Sequence, residues 1–152
     1  MRNKKKQPVA KHIVAQKDPR IAVDPDSSSA MHPVWQFGLA AYDGCWAFNE
    51  NPSDIWWSEV FPKIRNFETM TWHEIESATG GKSRGTNSHF VNIEELCKDA
   101  RKLIEGDQRL SDLDQLFSLR LTSKMRIWGK REGRVLKILW YDPNHEICPS
   151  IT

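Results

Sequence analysis

Residues 116–145 read LFSLRLTSKMRIWGKREGRVLKILWYDPNH, and this pattern predicts three antiparallel strands joined by two tight turns. Glu132-Gly133 places a glycine where a two-residue hairpin turn requires a positive φ. We pair the two arginines that flank this turn, and we pair Leu121 with Met125 across a second turn at 122–124. These pairings fix the register of all three strands.

The predicted strands have two chemically different faces, because side chains alternate along a strand. One face is apolar and consists of Leu119, Leu121, Met125, Ile127, Gly129, Leu136, Ile138 and Trp140. The other carries Arg120, Arg126, Trp128, Lys130, Lys137 and Tyr141, with Lys124 at its edge. A slip of one residue would exchange the two faces, so the apolar pattern specifies the register well.

The charge of residues 116–145 is strongly positive. The stretch contains seven Lys and Arg against two Asp and Glu, whereas the whole chain has a net charge of only +2. Such segregation creates a local positive potential suited to nucleic acid. The alternative is a solvated face whose charges prevent edge-to-edge aggregation. The aromatic residues among the charges favour a binding surface.

Length and composition predict one domain in a reduced compartment. A chain of 152 residues fits a single domain, which we place at 32–152 behind a flexible basic arm at 1–31. The arm either contacts nucleic acid or serves as a solubilising tail. Three cysteines without CxxC spacing favour the cytoplasm. We find no apolar run long enough to span a membrane and no secretory signal.

The region before residue 80 predicts a strand or hairpin followed by two helices. Asp43-Gly44 is a hairpin signal within residues 33–48. Ser53 is a good N-cap for a helix, which we expect Pro62 to kink or to end early. Thr71-x-x-Glu74 is a capping box and predicts a short helix that stops at the following glycine pair.

A further helix is predicted before the strands. Asn92-x-x-Glu95 is a second capping pattern, and we expect the helix that follows to end at Gly106. Its apolar residues share one face and are expected to cover the apolar side of the sheet. The fold class is therefore α+β, an antiparallel meander with two or three helices packed on one face.

Three kinds of site are disfavoured by the motifs. The loop GGKSRGTNSH at 80–89 lacks the spacing of a phosphate-binding P-loop, so we interpret it as a connector or a basic lid. His145 and Cys148 are three residues apart but provide too few ligands for structural zinc. No GxSxG motif is present. We therefore expect neither a metal nor a cofactor.

The segments LFSLRL, KMRIWGKREG and RVLKILWYDPNH resemble the RelE/ParE-like toxin superfamily of bacterial type II toxin–antitoxin systems. The resemblance covers about residues 90–150. It lies in the order of a strand, a basic RxxG strand, a turn, a hydrophobic strand and an aromatic-Asp-x-x-His ending. This chain departs from the family pattern in its length, its N-terminal extension and its weak overall positive charge.

The resemblance implies a small sheet with helices on one face and a positive cleft on the other. RelE-like members cut mRNA on the ribosome, and ParE-like members poison DNA gyrase. The implied partners are a cognate antitoxin and RNA, with ribosome-bound mRNA as one form, in the cytoplasm and without membrane contact.

Metal-free RNA cleavage requires a base for the 2′-OH proton, cations for the charged phosphorane and an acid for the leaving oxygen. We predict Arg120 and Arg126, which face each other, as the cationic clamp, and His145 as the proton carrier. The expected nucleic-acid-binding residues are Lys124, Trp128, Lys130, Arg131, Lys137 and Tyr141, the aromatic ones by base stacking.

Each assignment has a structural alternative. The two arginines repel each other and could splay into solvent. Trp128 could pack beneath the N-terminal hairpin, and His145 could merely cap the turn formed by Asp142-Pro143-Asn144.

Three functional hypotheses follow. The first is a RelE-like endoribonuclease toxin. The second is a non-enzymatic ParE-like toxin or adaptor that binds a protein target, for which Trp56, Trp57 or Trp128 would matter more than the arginines. The third is an inactive phage or immunity accessory protein on the same fold.

Overall fold

The computed structural model describes residues 27–50, 53–78 and 87–149. These residues form a five-stranded mixed sheet with the strand order β1-β5-β4-β3-β2. The strands are β1 Val34–Gln36, β2 His89–Asn92, β3 Gln115–Arg120, β4 Arg126–Glu132 and β5 Val135–Asp142. The predicted meander is β3–β4–β5. It is extended by β1, parallel to β5, and by β2, antiparallel to β3.

The helices are short and lie between β1 and β3. They are α1 Ser53–Ile55, α2 Phe61–Phe67, α3 Trp72–Ser77 and α4 Lys98–Glu105, with a π-helical turn at Trp56–Val60 and 3₁₀ turns at Ser28–Ala30, Phe48–Glu50 and Ile93–Glu95. The predicted α+β class is confirmed. None of the helices in the described ranges has the length and hydrophobicity that a membrane crossing requires.

Pro62 does not end the helix. The chain passes from α1 through the π-helical turn into α2, where Pro62 occupies the first turn. A proline in a regular helix loses one hydrogen bond and clashes with the carbonyl four residues earlier. Directly before the proline, the Phe61 N–H donates to Trp56 O, five residues back. The wider turn is how this helix accommodates Pro62.

Both predicted capping patterns form. The Thr71 side chain accepts a hydrogen bond from the Glu74 N–H at 3.2 Å and begins α3. The Asn92 capping box begins a 3₁₀ turn instead of an α-helix, and α4 follows and ends at Gly106. Two predictions concern residues outside the described ranges. They are the glycine pair expected to stop α3, and Lys82 and Arg84 of the predicted lid.

Of the two alternatives predicted for residues 33–48, a strand forms, as β1, and the hairpin at Asp43-Gly44 does not. Gly44 has a φ of +97°, but it lies in a loop and joins no paired strands. The segment before it, β1, pairs with β5 instead. Because the partner of β1 is remote in sequence, the local turn signal was misleading.

The folded chain includes the last residues of the predicted arm. The 3₁₀ turn Ser28–Ala30 lies against α3, and Met31 O accepts a hydrogen bond from the Trp72 N–H at 3.0 Å. Residues 1–26 lie outside the described part of the chain.

Two hydrophobic cores occupy opposite faces of the sheet. Core 1 lies against α2, α3 and the π-helical turn, and its buried residues are Val60, Ile64, Trp72, Ile75, Phe117, Leu119, Leu121, Met125, Ile127, Leu136, Ile138 and Tyr141. Core 2 lies against α4 and neighbouring loops, and it contains Trp46, Val91, Leu96, Ala100, Ile104, Leu110, Leu116, Trp128, Leu139, Trp140 and Ile147. The sheet is therefore covered on both faces.

The prediction that the helices pack on one face is wrong. Ala100 and Ile104 of α4 are buried in core 2, on the face that we expected to be basic and open. Apolar residues that the strand pattern placed on that face, such as Leu116 and Leu139, provide the surface for this second layer. Burial of this apolar area is the main force that holds α4 on the sheet.

The predicted register of β3 and β4 is confirmed. Leu119 pairs with Ile127 and Arg120 with Arg126, and the Leu121 N–H donates to Met125 O at 2.9 Å.

The predicted pairing of Arg131 with Arg134 across the next turn is wrong. Glu132 pairs with Val135, so the turn is Gly133-Arg134, and Gly133 has the expected positive φ of +58°. The glycine occupies the first position of the turn instead of the second, which shifts the β4–β5 register by two residues.

A β-bulge then exchanges the faces of two aromatic residues. Trp128 pairs with Trp140 and Gly129 with Ile138, so Leu139 is an extra residue in β5. Beyond this bulge, Trp140 lies in core 2 and Tyr141 in core 1, the reverse of the prediction. Such an insertion leaves no signal in the alternation of apolar residues.

Candidate functional site

Five polar residues gather at the end of the sheet beside the β3–β4 turn. Arg120 pairs with Arg126, and Arg126 pairs with Asp142, so their side chains form one row on the core 2 face. His89 pairs with Ser118, two residues before Arg120 on the same face. His145 follows β5. We refer to His89, Arg120, Arg126, Asp142 and His145 as the arginine–histidine cluster.

The two arginines are bound to the turn between their strands. Both donate to Thr122 O, Arg120 through Nε at 3.2 Å and Arg126 through Nη1 at 2.8 Å. Arg126 also donates to Met125 O at 3.0 Å, and the residue is only 5% exposed. Shared carbonyl acceptors explain why the two cations lie together without splaying into solvent.

Arg126 is the more deeply placed of the pair. Burial, followed by the positive charge of Arg120, lowers the pKa of Arg126, and the carboxylate of Asp142 opposes this effect. This environment makes Arg126 part of the fold as well as of the cluster. Its removal would leave buried carbonyl groups without donors.

Asp142 holds the turn that presents His145. Its carboxylate accepts hydrogen bonds from the N–H groups of Glu146 at 2.9 Å and Ile147 at 3.0 Å, and the residue is fully buried. An aspartate that bonds the backbone ahead of it is a common way to fix a turn. Sequence reasoning placed Asp142 in the turn but missed this role.

His145 has an unusual conformation. Its φ is +57°, the only positive value among the described non-glycine residues. Burial is the main cause that lowers the pKa of its imidazole, with a further contribution from the positive charge of Arg126, while Asp142 acts in the opposite direction. A lowered pKa keeps the ring neutral at pH 7, the form that accepts a proton.

His89 was missed by sequence reasoning. Its Nδ1 lies 2.6 Å from Asn87 O. Because a carbonyl oxygen can only accept a hydrogen bond, Nδ1 carries the proton, and Nε2 is the nitrogen that remains for proton transfer. Its neighbour Ser88 is buried, and the Ser88 hydroxyl accepts from the Arg120 N–H at 3.0 Å. Only the pairing of β2 with β3, which the sequence did not predict, brings His89 to this site.

The two aromatic residues predicted to stack on bases are buried. Trp128 is 1% exposed and lies in core 2, and Tyr141 is 2% exposed and lies in core 1. The prediction that they share an open face is therefore wrong. Trp128 is a buried member of core 2, the cluster that also contains Trp46 of the loop after β1.

The predicted basic residues are dispersed. Lys130 and Lys137 lie at the opposite end of the sheet, where both form ion pairs with Glu132 at 3.0 and 2.9 Å. The side chain of Arg131 is 5% exposed and lies against core 1, with its guanidinium 4.2 Å from the Trp72 ring centroid and paired with Glu76. Lys124 is exposed in the β3–β4 turn. Of these residues, Lys124 alone adjoins the arginine–histidine cluster.

An exposed aromatic surface includes none of the residues of this cluster. Phe37, Tyr42, Trp57 and Phe61 are between 42% and 81% exposed. They line two concavities of ≈ 470 and ≈ 410 Å³ that share Phe37 and Trp56. We refer to these five residues as the aromatic surface.

Within the described ranges, no three His, Cys, Asp or Glu side chains are placed to hold a metal ion together. Comparisons with protein-family models, with curated proteins and with solved structures give no match to this chain. The site is therefore interpreted from its own geometry.

Proposed function

We propose that this protein is a metal-independent endoribonuclease that cleaves RNA at the arginine–histidine cluster. The observation that carries the proposal is the placement of His145 beside two arginines, with a lowered pKa caused chiefly by burial. Cations that bind a phosphodiester, next to a neutral imidazole, form the minimal arrangement for transfer of the phosphoryl group to the adjacent 2′-oxygen.

In the proposed reaction, His145 takes the proton from the 2′-OH, and the 2′-oxygen attacks the phosphorus. The bond from phosphorus to the 5′-oxygen breaks, and His89 in its protonated form donates a proton to that oxygen. The products are a 2′,3′-cyclic phosphate and a 5′-hydroxyl end. DNA lacks the 2′-OH and is therefore not a substrate.

The two arginines have different roles in this proposal. Arg120 is half-buried and is assigned to the phosphate. Arg126 is a positioning residue, because its guanidinium donates to the carbonyls of the β3–β4 turn. It also contributes positive charge beside His145.

We further propose a RelE-like toxin restrained by a cognate antitoxin. The support is the α+β architecture with cationic residues at one end of its sheet, together with the resemblance of residues 90–150. The expected biological outcome is growth arrest upon expression.

The test uses the purified protein and a fluorescently labelled single-stranded RNA in the presence of EDTA. We expect cleavage with cyclic-phosphate ends, and a fall in rate of about 10²-fold or more in His145→Asn. Asparagine tolerates a positive φ, so the fold is preserved. His73→Gln, a histidine on α3 outside the cluster, is the matched control. Intact RNA, or equal rates in His145→Asn and the wild type, would refute the proposal.

Growth and message integrity test the toxin role separately. Inducible expression in a bacterial host should arrest growth and fragment mRNA, whereas the His145→Asn variant should do neither. Normal growth with intact messages would exclude the toxin proposal.

The aromatic surface favours a second candidate function, a protein-binding toxin or adaptor. Exposed apolar patches of this kind mark interaction sites. If growth arrest occurs without RNA cleavage and is lost in Trp57→Ala but kept in Arg120→Gln, this second function replaces the first.

A further inference from the structure

The three cysteines, which are scattered in the sequence, meet near the N-terminus of α4. Cys97 is the N-cap of α4, and Cys148 follows the turn that carries His145. Both are half-buried and pack against core 2, and all three thiols are free. Burial is the main cause that raises the pKa of Cys45 and of Cys148, and the nearby Cys97 raises both further.

One backbone contact brings Cys97 and Cys148 within disulfide reach. The Cys97 N–H donates to Ile147 O at 2.7 Å, and Ile147 directly precedes Cys148. With ordinary bond lengths, this contact keeps the Cα atoms of the two cysteines within about 7 Å. Disulfides span Cα separations of roughly 4.4–6.8 Å.

We propose that Cys97 and Cys148 form a reversible redox site, in which a disulfide ties the start of α4 to the segment after the His145 turn. The oxidant is a small-molecule disulfide of the glutathione type. One thiolate attacks it to give a mixed disulfide and releases one glutathione thiol. The second cysteine then displaces the other glutathione. The pair loses two electrons and two protons, and the oxidant becomes two thiols.

The disulfide would fix the geometry of the His145 turn. On one side, the Asp142 carboxylate holds the N–H groups of Glu146 and Ile147. On the other side, a single hydrogen bond from Cys97 holds Ile147. With a covalent link next to this hydrogen bond, the turn would be held firmly at both of its ends. This inference does not depend on RNA cleavage.

Cys45 is the competing thiol. It is exposed in the loop after β1, and burial together with the charges of Asp99 and Glu146 raises its pKa. No hydrogen bond among the described residues joins the backbone of Cys45 to that of Cys97 or Cys148. The pair Cys97–Cys148 is therefore the one that the backbone preorganises.

The test treats the full chain with oxidised glutathione at about pH 8.5, near the ordinary thiol pKa, and maps disulfides by mass spectrometry without reduction. We expect a cross-link between the peptides of Cys97 and Cys148, reversible with dithiothreitol. Cys45→Ser should keep the cross-link, whereas Cys97→Ser and Cys148→Ser should each abolish it. Three free thiols, a link that includes Cys45, or stable glutathione adducts alone would overturn the proposal.

Amide hydrogen exchange provides a readout independent of the cross-link itself. Exchange at residues 144–147 should slow in the oxidised wild type and remain unchanged in Cys148→Ser treated in the same way. Equal exchange in oxidised and reduced wild type would contradict the link between the disulfide and the turn.

Discussion

Burial and neighbouring positive charge both lower the pKa of one side chain, His145. Its positive φ places the imidazole beside Arg120 and Arg126, and the turn that imposes this conformation is fixed by Asp142. Unusual backbone conformations persist only where the surrounding structure determines them. The position of His145 is therefore set by a buried carboxylate that itself has no part in the proposed reaction.

The lowered pKa of His145 can be measured directly. In an NMR titration of the ring protons, we expect a midpoint below the ordinary histidine value of about 6.5. Arg120→Gln should raise this midpoint, because it removes a positive charge that disfavours the imidazolium. A midpoint above 6.5 in the wild type would contradict the described environment.

The same pKa direction predicts how stability depends on pH. The folded state disfavours the protonated form of His145, so protons bind the unfolded chain more readily. The contribution of this group to the free energy of unfolding is complete above the ordinary histidine pKa. It declines as the pH falls through that value toward the lower folded pKa. In His145→Asn this decline should be smaller when urea unfolding is compared at pH 7 and at pH 5.

Gly129 is a second residue whose role depends on its surroundings. A Cβ at this position would lie 2.5 Å from Lys137 O and 2.9 Å from Leu136 Cδ1, at the β-bulge. We expect Gly129→Ala to destabilise the protein by about 1–3 kcal/mol in urea unfolding. The matched control is Gly38→Ala, where a Cβ meets nothing within 4 Å. Equal stability of the two variants would contradict the close approach of β4 and β5.

Individual elements show which parts of the fold could be predicted from the sequence. The β3–β4 hairpin was predicted with its register, because alternating leucines and isoleucines specify one pairing. The β4–β5 register was missed, because Gly133 can occupy either position of a two-residue turn and the bulge at Leu139 adds a residue. The alternation of apolar residues indicates which residues share a face of the sheet. It does not indicate where a strand carries an extra residue.

The candidate site was predicted in part for the same reason. Arg120 and Arg126 were placed opposite each other by the hairpin register, and His145 by its position after β5. His89 was missed because β2 carries only four residues and its pairing partner in β3, Ser118, lies 29 positions later in the chain. Trp128 was misplaced because the partner layers of core 2, including α4 and Trp46, are distant in sequence. Tyr141 was misplaced because the bulge at Leu139 moves it to core 1.

The Thr71 cap gives an element-level prediction. Thr71→Ala removes the acceptor for the Glu74 N–H and should lower the free energy of unfolding by about 0.5–2 kcal/mol. Thr71→Ser keeps the hydroxyl and should lose much less. Urea unfolding followed by tryptophan fluorescence measures both. If the two variants lose equal stability, the loss does not arise from the cap.

Across the whole molecule, tryptophan side chains pack between the sheet and the layers on its two faces. Six of the seven Trp lie in or against the two cores, whereas Trp57 is 63% exposed. Trp72 is fully buried, and its Nε1 donates to Arg134 O at 2.9 Å. It thereby connects α3 to the β4–β5 turn.

Substitution by alanine should affect stability very differently at Trp57 and at Trp72. Trp72→Ala should destabilise the fold by about 3–5 kcal/mol, whereas Trp57→Ala should change stability by less than about 0.5 kcal/mol. Trp57→Ala should also reduce the fluorescence of a bound hydrophobic dye, because it removes part of the aromatic surface. Calorimetry and dye binding check the two effects. A large loss of stability in Trp57→Ala would show that this side chain is packed.

The parallel pairing of β1 with β5 has a consequence for biosynthesis. Val34 lies beside Val135, which is 101 positions later in the chain. A ribosome must therefore finish β5 before β1 has a neighbour. Until then, the Trp35 side chain lacks its place against core 1. Closure of the sheet edge is thus a late event, and its slow step is the search for a distant strand.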